Sequence, residues 1–140
     1  MATVELSFTA LPAHVRTARL VATAVARRSG VDEALLDEVR LAVGEACSRA
    51  VEGHQLYCPA EPVRLALTDL AGRFEVEVTD TCAPGAWPAA PAHADGAHVP
   101  GKPAGLSLAV IEGLADEVKI SETSAGTIIT MTWPSAGVSR

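Results

Sequence analysis

The stretch from Leu35 to His54 constrains the fold of this chain more than any other part. Its apolar residues recur at steps of three and four, which places them on one face of an α-helix. No proline interrupts the run, and a charged stripe lies beside the apolar face. The apolar face comprises Leu36, Val39, Val43, Ala46, Cys47 and Ala50, and the stripe comprises Glu38, Ala42, Glu45, Arg49 and Glu52. Residue pattern alone predicts an amphipathic core helix, with a solvated Glu–Arg pair at i,i+4 spacing.

Alternating apolar and polar residues predict short strands before and after this helix. A further helical pattern begins at Pro12, runs through Arg28 and ends at Gly30, a residue suited to the position after a helix. The predicted strands cover residues 4–9, 62–68, 73–80, 116–121 and 127–133, and a shorter helix covers 106–114. Residues from Pro134 onward are expected to form a frayed tail. This order predicts an α/β (α+β) two-layer sandwich, with a mixed, mainly antiparallel sheet and helices on one face.

Length, charge and hydropathy limit the possible functions. The chain has 140 residues, which predicts a single domain over residues 1–140. No apolar run is long enough to cross a membrane, and the N-terminus has no basic-then-apolar segment, so we expect a cytoplasmic protein without a membrane partner. The net charge of −6 disfavours direct nucleic-acid binding, which requires a basic surface.

The cysteines and histidines do not predict a metal site. Three cysteines without Cys-x-x-Cys spacing argue against both a disulfide framework and a structural zinc site. Cys47 lies on the apolar helix face, as a small core residue would. The pairs His54/Cys58 and His93/His98 could supply ligands, but neither comes with a third ligand in a recognisable motif. We therefore expect no metal centre of this kind.

The segment Leu41–His54, LAVGEACSRAVEGH, resembles the N-box of the GHKL ATPases, in the form found in bacterial anti-sigma factor kinases. The matching positions are Leu41, Ala42, Val43, Glu45, Ala46, Ala50, Val51 and His54. This resemblance implies a Bergerat-type ATPase fold and makes Glu45 the candidate catalytic base. Arg49 departs from the pattern, because the family has an asparagine there that holds Mg²⁺ against the nucleotide phosphates.

The first glycine box of that family is only partly present here. In the sequence VTDTCAP, Asp80 matches the carboxylate that accepts a hydrogen bond from the adenine amino group. Cys82 replaces the glycine two positions later. The segment 82–104 that follows is rich in alanine, proline and glycine, a composition typical of a flexible insertion or of a functional loop. The resemblance implies that it is a degenerate ATP lid.

The second glycine box, Pro103–Leu106, is also altered. Pro103 replaces the first glycine and has no backbone N–H to offer a phosphate. Gly105 and Leu106 are retained, and the following sequence resembles the family's closing helix and strand. The resemblance implies a nucleotide site with ATP as a possible cofactor and Mg²⁺ as a doubtful one. Its implied cofactor-binding residues are Arg49, Asp80, Gly105 and Leu106.

Two functions from different classes follow from the resemblance. One is an anti-sigma factor that sequesters an alternative sigma factor and is released by a STAS-type anti-anti-sigma factor, without kinase activity. The alternative is an active serine kinase that phosphorylates the anti-anti-sigma factor, with Glu45 activating the serine hydroxyl. Phosphoryl transfer relies on metal ions to neutralise charge, and Arg49 has no acceptor atom for a metal. We therefore expect a catalytically impaired kinase homologue; a stand-alone histidine-kinase ATPase domain is a third alternative.

The resemblance also implies protein partners. Arg16 and Arg19 lie one turn apart on the first predicted helix, so both can project from the same face. Single surface arginines are commonly just solvated. In the resembling family, however, an arginine in this region contacts both the sigma factor and the anti-anti-sigma factor, so Arg16 and Arg19 are candidate partner-binding residues. The resemblance further implies a homodimer whose two-fold interface is built by the sheet edge and the first helix, and the short N-terminal strand would otherwise leave an edge open.

Overall fold

The computed structural model of the chain describes residues 2–82, 104–123 and 126–136, with side chains of the third helix described from Leu108 onward. It contains five strands, three α-helices and one 3₁₀ turn in these residues. The strands are β1 (Ala2–Phe8), β2 (Val63–Leu70), β3 (Arg73–Asp80), β4 (Glu117–Thr123) and β5 (Gly126–Pro134). The helices are α1 (Pro12–Arg28), α2 (Leu36–Tyr57) and α3 (Ala104–Leu114), and the 3₁₀ turn spans Glu33–Leu35.

The five strands form one sheet in the order β1-β2-β3-β5-β4. Each neighbouring pair in this order is antiparallel, and β1 and β4 are the edge strands. The register places apolar residues of adjacent strands on the same face, as in the pairs Leu65–Val78 and Val76–Met131. The predicted α+β sandwich, with a mainly antiparallel sheet, is therefore confirmed.

The ends of α1 and the start of α2 follow the local sequence closely. Pro12 occupies the first turn of α1, where its missing N–H has no cost. Gly30 follows the helix with a φ of 93°, a left-handed conformation that glycine adopts without strain. The side chain of Asp32 then accepts a hydrogen bond from the N–H of Ala34 at 2.9 Å and caps the 3₁₀ turn that leads into α2.

The core lies between α1 and α2 on one side and the inner face of the sheet on the other. Most of the buried residues on the facing sides of α1 and α2 are alanines. Their small side chains let the two helix backbones approach closely. The buried residues of the helices include Ala18, Ala22, Ala26, Ala42, Ala46 and Ala50. Larger side chains fill the sheet face, including Leu65, Leu67, Phe74, Val76, Met131 and Trp133. The indole Nε1 of Trp133 donates to the carbonyl oxygen of Leu114 at 3.0 Å, which joins β5 to the end of α3.

Two local expectations are corrected by the structure. The stripe on α2 is not a uniformly solvated face, because Ala42 is fully buried and Arg49 is half-buried. The tail is not frayed immediately after Pro134, because the N–H of Ser135 donates to the carbonyl of Gly72 and that of Ala136 to the carbonyl of Gly30. These two bonds lead to distant turns, which local sequence patterns do not indicate. No helix among the described residues is long and apolar enough to cross a membrane.

Candidate functional site

Arg49 and Asp80 lie close together where α2 passes the end of β3. Asp80 is the last residue of β3 and is only 5% exposed, while Arg49 projects from α2 and is half-buried. Burial lowers the pKa of the Arg49 guanidinium from its ordinary value, and the nearby negative charge of Asp80 acts to raise that pKa. The junction therefore combines a partly desolvated cation with a buried carboxylate.

The backbone around Asp80 depends on Gly126. Asp80 pairs with Thr127 on β5, and Gly126 begins that strand with a φ of 141°. A Cβ at position 126 would overlap the carbonyl oxygen of Asp80 and would lie 3.0 Å from its Oδ1 atom. Only glycine allows β5 to approach this closely, so the position of the candidate adenine acceptor depends on a residue that sequence analysis did not single out.

The donor set at this junction does not fit Mg²⁺. A guanidinium carries five N–H donors and no acceptor, so Arg49 cannot serve as a metal ligand in place of asparagine. The same guanidinium does suit a phosphate, to which it can donate directly. Asp80 retains the carboxylate that could accept from an exocyclic amino group. The chemistry therefore fits an anionic or purine-bearing ligand better than a metal–nucleotide complex.

The other predicted cofactor and catalytic residues are described in part. Glu45 is half-buried on α2, one turn before Arg49. Gly105 and Leu106 lie in the first turn of α3. Pro103 and nearly all of the predicted lid segment 82–104 lie outside the described residues. Within the described part of the chain, α2 and β3 bring Arg49 close to Asp80, and Glu45 lies one helical turn from Arg49.

The two candidate partner-binding arginines differ in their surroundings. Arg16 is exposed on α1, but Arg19 is half-buried because its stem crosses onto α2 at Gly44. A Cβ added at Gly44 would lie 2.7 Å from the Cδ atom of Arg19. One turn further along α2, burial raises the pKa of the Cys47 thiol to about 12, with the positive charge of Arg19 acting in the opposite direction. Arg19 therefore has a packing role as well as a candidate binding role.

A cluster at the end of α2 was missed by sequence analysis. Cys58 directly follows α2 and forms a disulfide with Cys82, with a Cα–Cα distance of 5.7 Å. The expectation of no disulfide is therefore wrong, because the β2–β3 hairpin returns the chain to the end of α2. His54 is the third member of the cluster, whose potential ligand atoms lie within 4.8 Å of one another. The missing third ligand for the His54/Cys58 pair is thus Cys82, which sequence analysis treated only as a replaced glycine.

Both ring nitrogens of His54 already have protein partners. The imidazole is fully buried; Nδ1 lies 2.8 Å from the carbonyl oxygen of Glu61, and Nε2 accepts from the N–H of Thr81 at 3.0 Å. This pattern requires Nδ1 to donate and Nε2 to accept, which defines a neutral tautomer. His54 therefore joins the end of α2 to the residue after Asp80, and it has no ring lone pair available for a metal in this arrangement.

Residues 8–133 match the family model of the histidine kinase-like ATPase domain. The chain belongs to that family. The match includes α1, α2, the site at Arg49 and Asp80, and all strands except most of β1. It confirms the resemblance to the GHKL superfamily. Among curated proteins, no sequence matches this chain.

Two solved structures are similar in fold. The crystal structure of the RsbU and RsbW domains of Rv1364c from Mycobacterium tuberculosis has a TM-score of 0.68 and 20% sequence identity, and the match covers 99% of this chain and 34% of that one. The mycobacterial sensor histidine kinase MprB has a TM-score of 0.55 and 17% identity, with 98% of this chain and 100% of that chain covered. This chain thus spans about a third of the length of the Rv1364c structure. At these identities the two likenesses support the histidine kinase-like fold.

Proposed function

We propose that this member of the histidine kinase-like ATPase family is an anti-sigma factor that has lost kinase activity. It would sequester an alternative sigma factor and release it when a STAS-type anti-anti-sigma factor competes for the same surface. The likeness to a structure with an RsbW domain supports the partner-switching context. The resemblance of Leu41–His54 to the N-box of anti-sigma factor kinases supports the same assignment.

The replacement of the metal-binding asparagine by Arg49 carries the non-catalytic part of the proposal. A kinase of this family needs a metal ion to neutralise charge on the transferred phosphoryl group. Arg49 places a cation at that position, near the buried carboxylate of Asp80. Cys82 and Pro103 also replace one glycine in each of the two glycine boxes, and Cys82 is covalently bonded to Cys58.

An ATP titration, with and without Mg²⁺, tests the nucleotide part of the proposal. We expect weak or absent binding of Mg·ATP, measured by calorimetry. If ATP binds, its affinity should not change with EDTA, and Arg49→Gln should weaken binding because the guanidinium would contact phosphate in place of the metal. Arg49→Lys, which keeps a positive charge, is the matched control. Binding that requires Mg²⁺ in the wild-type chain would contradict this part of the proposal.

A binding measurement tests the partner-switching part. We would titrate purified alternative sigma factors from the source organism with this chain, and then add STAS-domain proteins as competitors. The proposal predicts a sigma complex that a STAS partner disrupts in the absence of ATP. An absence of binding to the whole set of sigma factors would refute the anti-sigma assignment.

The alternative function is an active ATP-dependent serine kinase with Glu45 as the base. Glu45 lies one turn from Arg49 on α2, so both would face the same ligand. Incubation of this chain with STAS partners and labelled ATP distinguishes the two functions. Magnesium-dependent transfer of phosphate to a partner serine that Glu45→Gln abolishes would establish the kinase and overturn the non-catalytic proposal.

We also propose a cytoplasmic homodimer that uses the β1 edge. β1 pairs only with β2 in the described sheet, so its other edge has backbone groups available for a second chain. Its alternate residues Val4, Leu6 and Phe8 pack partly against the core, which fixes the strand in place. Sedimentation should give a dimer at tens of micromolar, and a monomer at that concentration would count against this arrangement.

A further inference from the structure

The Cys58–Cys82 bond joins two functional elements of the fold. Cys58 directly follows α2, the helix that carries Glu45 and Arg49, and Cys82 lies two residues after Asp80. The two cysteines are 24 positions apart in sequence, so the bond closes a loop that contains the whole β2–β3 hairpin. The bond therefore ties the exit from β3 to the end of α2, beside the candidate nucleotide site.

Hydrogen bonds hold the same segment independently of the sulfur atoms. The N–H of Thr81 donates to Nε2 of His54, and Oγ1 of Thr81 donates to the carbonyl oxygen of Pro62. The N–H of Cys58 donates to the carbonyl oxygen of His54 at 2.8 Å, which completes the last turn of α2. These contacts hold both ends of the cross-link, Cys58 through the last turn of α2 and Cys82 through its neighbour Thr81. A pair held in this way is pre-arranged to form and reform its bond.

The two sulfur atoms differ in access. Cys82 is only 2% exposed, whereas Cys58 is half-buried at the end of its helix. An incoming sulfur compound would therefore reach Cys58 first, with Cys82 as the neighbouring thiol that completes the exchange. Cys47 cannot take part, because it is fully buried among core residues of α2.

We propose that Cys58 and Cys82 form a reversible thiol–disulfide site, with low-molecular-weight disulfides as the oxidant and the corresponding thiols as the reductant. In the oxidation, the Cys58 thiolate attacks one sulfur of a small disulfide RSSR, forms a mixed disulfide and releases RS⁻. The Cys82 thiolate then attacks Cys58 Sγ, forms the internal bond and releases the second RS⁻. The protein loses two electrons and two protons, and RSSR becomes two RSH. In a reducing cytoplasm, the location we expect, such bonds are typically transient or redox-sensing.

Oxidation would restrict Thr81 and Cys82 through the covalent bond, and reduction would leave this segment held by the hydrogen bonds of Thr81. The site goes beyond the proposed anti-sigma function, because its chemistry needs no sigma factor and no nucleotide. Its consequence is local: the backbone directly after Asp80 is attached to α2 more firmly in the oxidised chain than in the reduced chain. The N–H of Thr81 reports on this directly, because its acceptor lies on α2.

A redox titration with a thiol count is the first test. The full chain would be equilibrated in buffers with graded ratios of reduced to oxidised glutathione, quenched with acid, unfolded and alkylated. Mass spectrometry should then show one labelled cysteine in the oxidised chain, Cys47, and three in the reduced chain. Peptide mapping should locate the bond between Cys58 and Cys82. Absence of that bond at the most oxidising ratio would overturn the proposal.

Hydrogen exchange of the Thr81 amide is the second test. We expect exchange to become faster by at least roughly tenfold on reduction, while amides in the middle of β2 change little. The thermal midpoint should fall by about 5–10 °C, as expected when a cross-link is lost from a chain of this size. In the variant C58S/C82S both quantities should be independent of redox conditions, whereas Cys47→Ala should respond as the wild type does. Equal Thr81 exchange in the oxidised and reduced wild type would refute the proposed coupling.

A zinc titration separates this proposal from a metal site. The reduced chain would be dialysed against Zn²⁺ alone, and bound metal would be measured per chain. We expect no stoichiometric binding, because both ring nitrogens of His54 are already hydrogen-bonded. Tight binding of one Zn²⁺ that is lost in both His54→Gln and C58S/C82S would show that these residues form a metal centre and would overturn the thiol–disulfide proposal.

Discussion

The stem of Arg19 on α1 lies directly over Gly44 on α2. A Cβ at Gly44 would come within 2.7 Å of the Cδ atom of Arg19, which is closer than such atoms pack. The glycine therefore provides the space that the arginine occupies, and the two positions should be energetically coupled.

A double-mutant cycle at these positions measures the coupling. In the Arg19→Ala background, Gly44→Ala should stabilise the protein by about 0.8–1 kcal/mol, the gain expected for alanine over glycine inside a helix. In the wild-type background the arginine must move, so we expect little gain or a loss, with a coupling free energy of about 0.5–1.5 kcal/mol. Urea denaturation of the four proteins gives these values. Equal effects of Gly44→Ala in both backgrounds would show that Arg19 does not occupy this space.

Substitution of Arg16 should affect partner binding alone, whereas substitution of Arg19 should affect both binding and stability. Its side chain is exposed, so Arg16→Ala should change folding stability by no more than about 0.5 kcal/mol. If it pairs with a carboxylate of the sigma factor, the substitution should weaken binding by about 2 kcal/mol or more. Arg19→Ala should weaken binding as well, and should also change stability through its contact with α2. Calorimetry with purified sigma factor measures the affinities, and Arg28→Ala at the exposed end of α1 is the control. Wild-type affinity of the Arg16/Arg19 double variant would move the partner site elsewhere.

Gly126→Ala should be strongly destabilising. The residue has a φ of 141°, and a Cβ there would overlap the backbone of Asp80. We expect the free energy of unfolding to fall by about 2–4 kcal/mol, because backbone strain and a backbone clash act together. Gly113→Ala is the matched control, since nothing lies within 4 Å of its added Cβ on α3. That control should stabilise the helix by up to about 1 kcal/mol. Similar effects of the two substitutions in thermal unfolding would contradict the close approach of β5 to Asp80.

Cys47 should make the protein lose stability in alkali. Its pKa is raised from 9.0 to about 12 in the folded state, so between these values the unfolded chain releases a proton that the folded chain retains. The unfolded state binds fewer protons there, and the free energy of unfolding must fall as pH rises through this window. The three-unit difference sets an upper limit of about 4 kcal/mol for the loss.

The measurement compares wild type with Cys47→Ala by urea denaturation from pH 8 to the highest pH at which both fold. The difference between their free energies of unfolding should be constant below pH 9. Above pH 9 the free energy of unfolding of the wild type should fall relative to that of the variant. Other groups titrate in this range, but they are common to both proteins and cancel in the difference. A constant difference up to pH 11 would show that the thiol does not lie in so apolar an environment.

Local sequence patterns determined most of the secondary structure. Pro12 and Gly30 mark the ends of α1, and the predicted strand 73–80 coincides with β3, because caps and alternation act over a few residues. The apolar face around Val39 and Val43 likewise predicted which side of α2 is buried. The N-box resemblance predicted the family, which the match over residues 8–133 confirmed. These features are encoded locally, so they could be recognised without knowledge of the tertiary contacts.

Only the tertiary structure decided how distant residues combine at the site. Arg49 was visible in sequence as a replaced asparagine, but its burial near Asp80 results from the packing of α2 against β3. The pairing of Cys58 with Cys82 depends on the return of the β2–β3 hairpin, and no local pattern specifies that two residues 24 positions apart will meet. The space over Gly44 is likewise created by a side chain from another helix. Periodicity identifies the face that a residue occupies, whereas the partner it meets there depends on strand register and on how the helices cross.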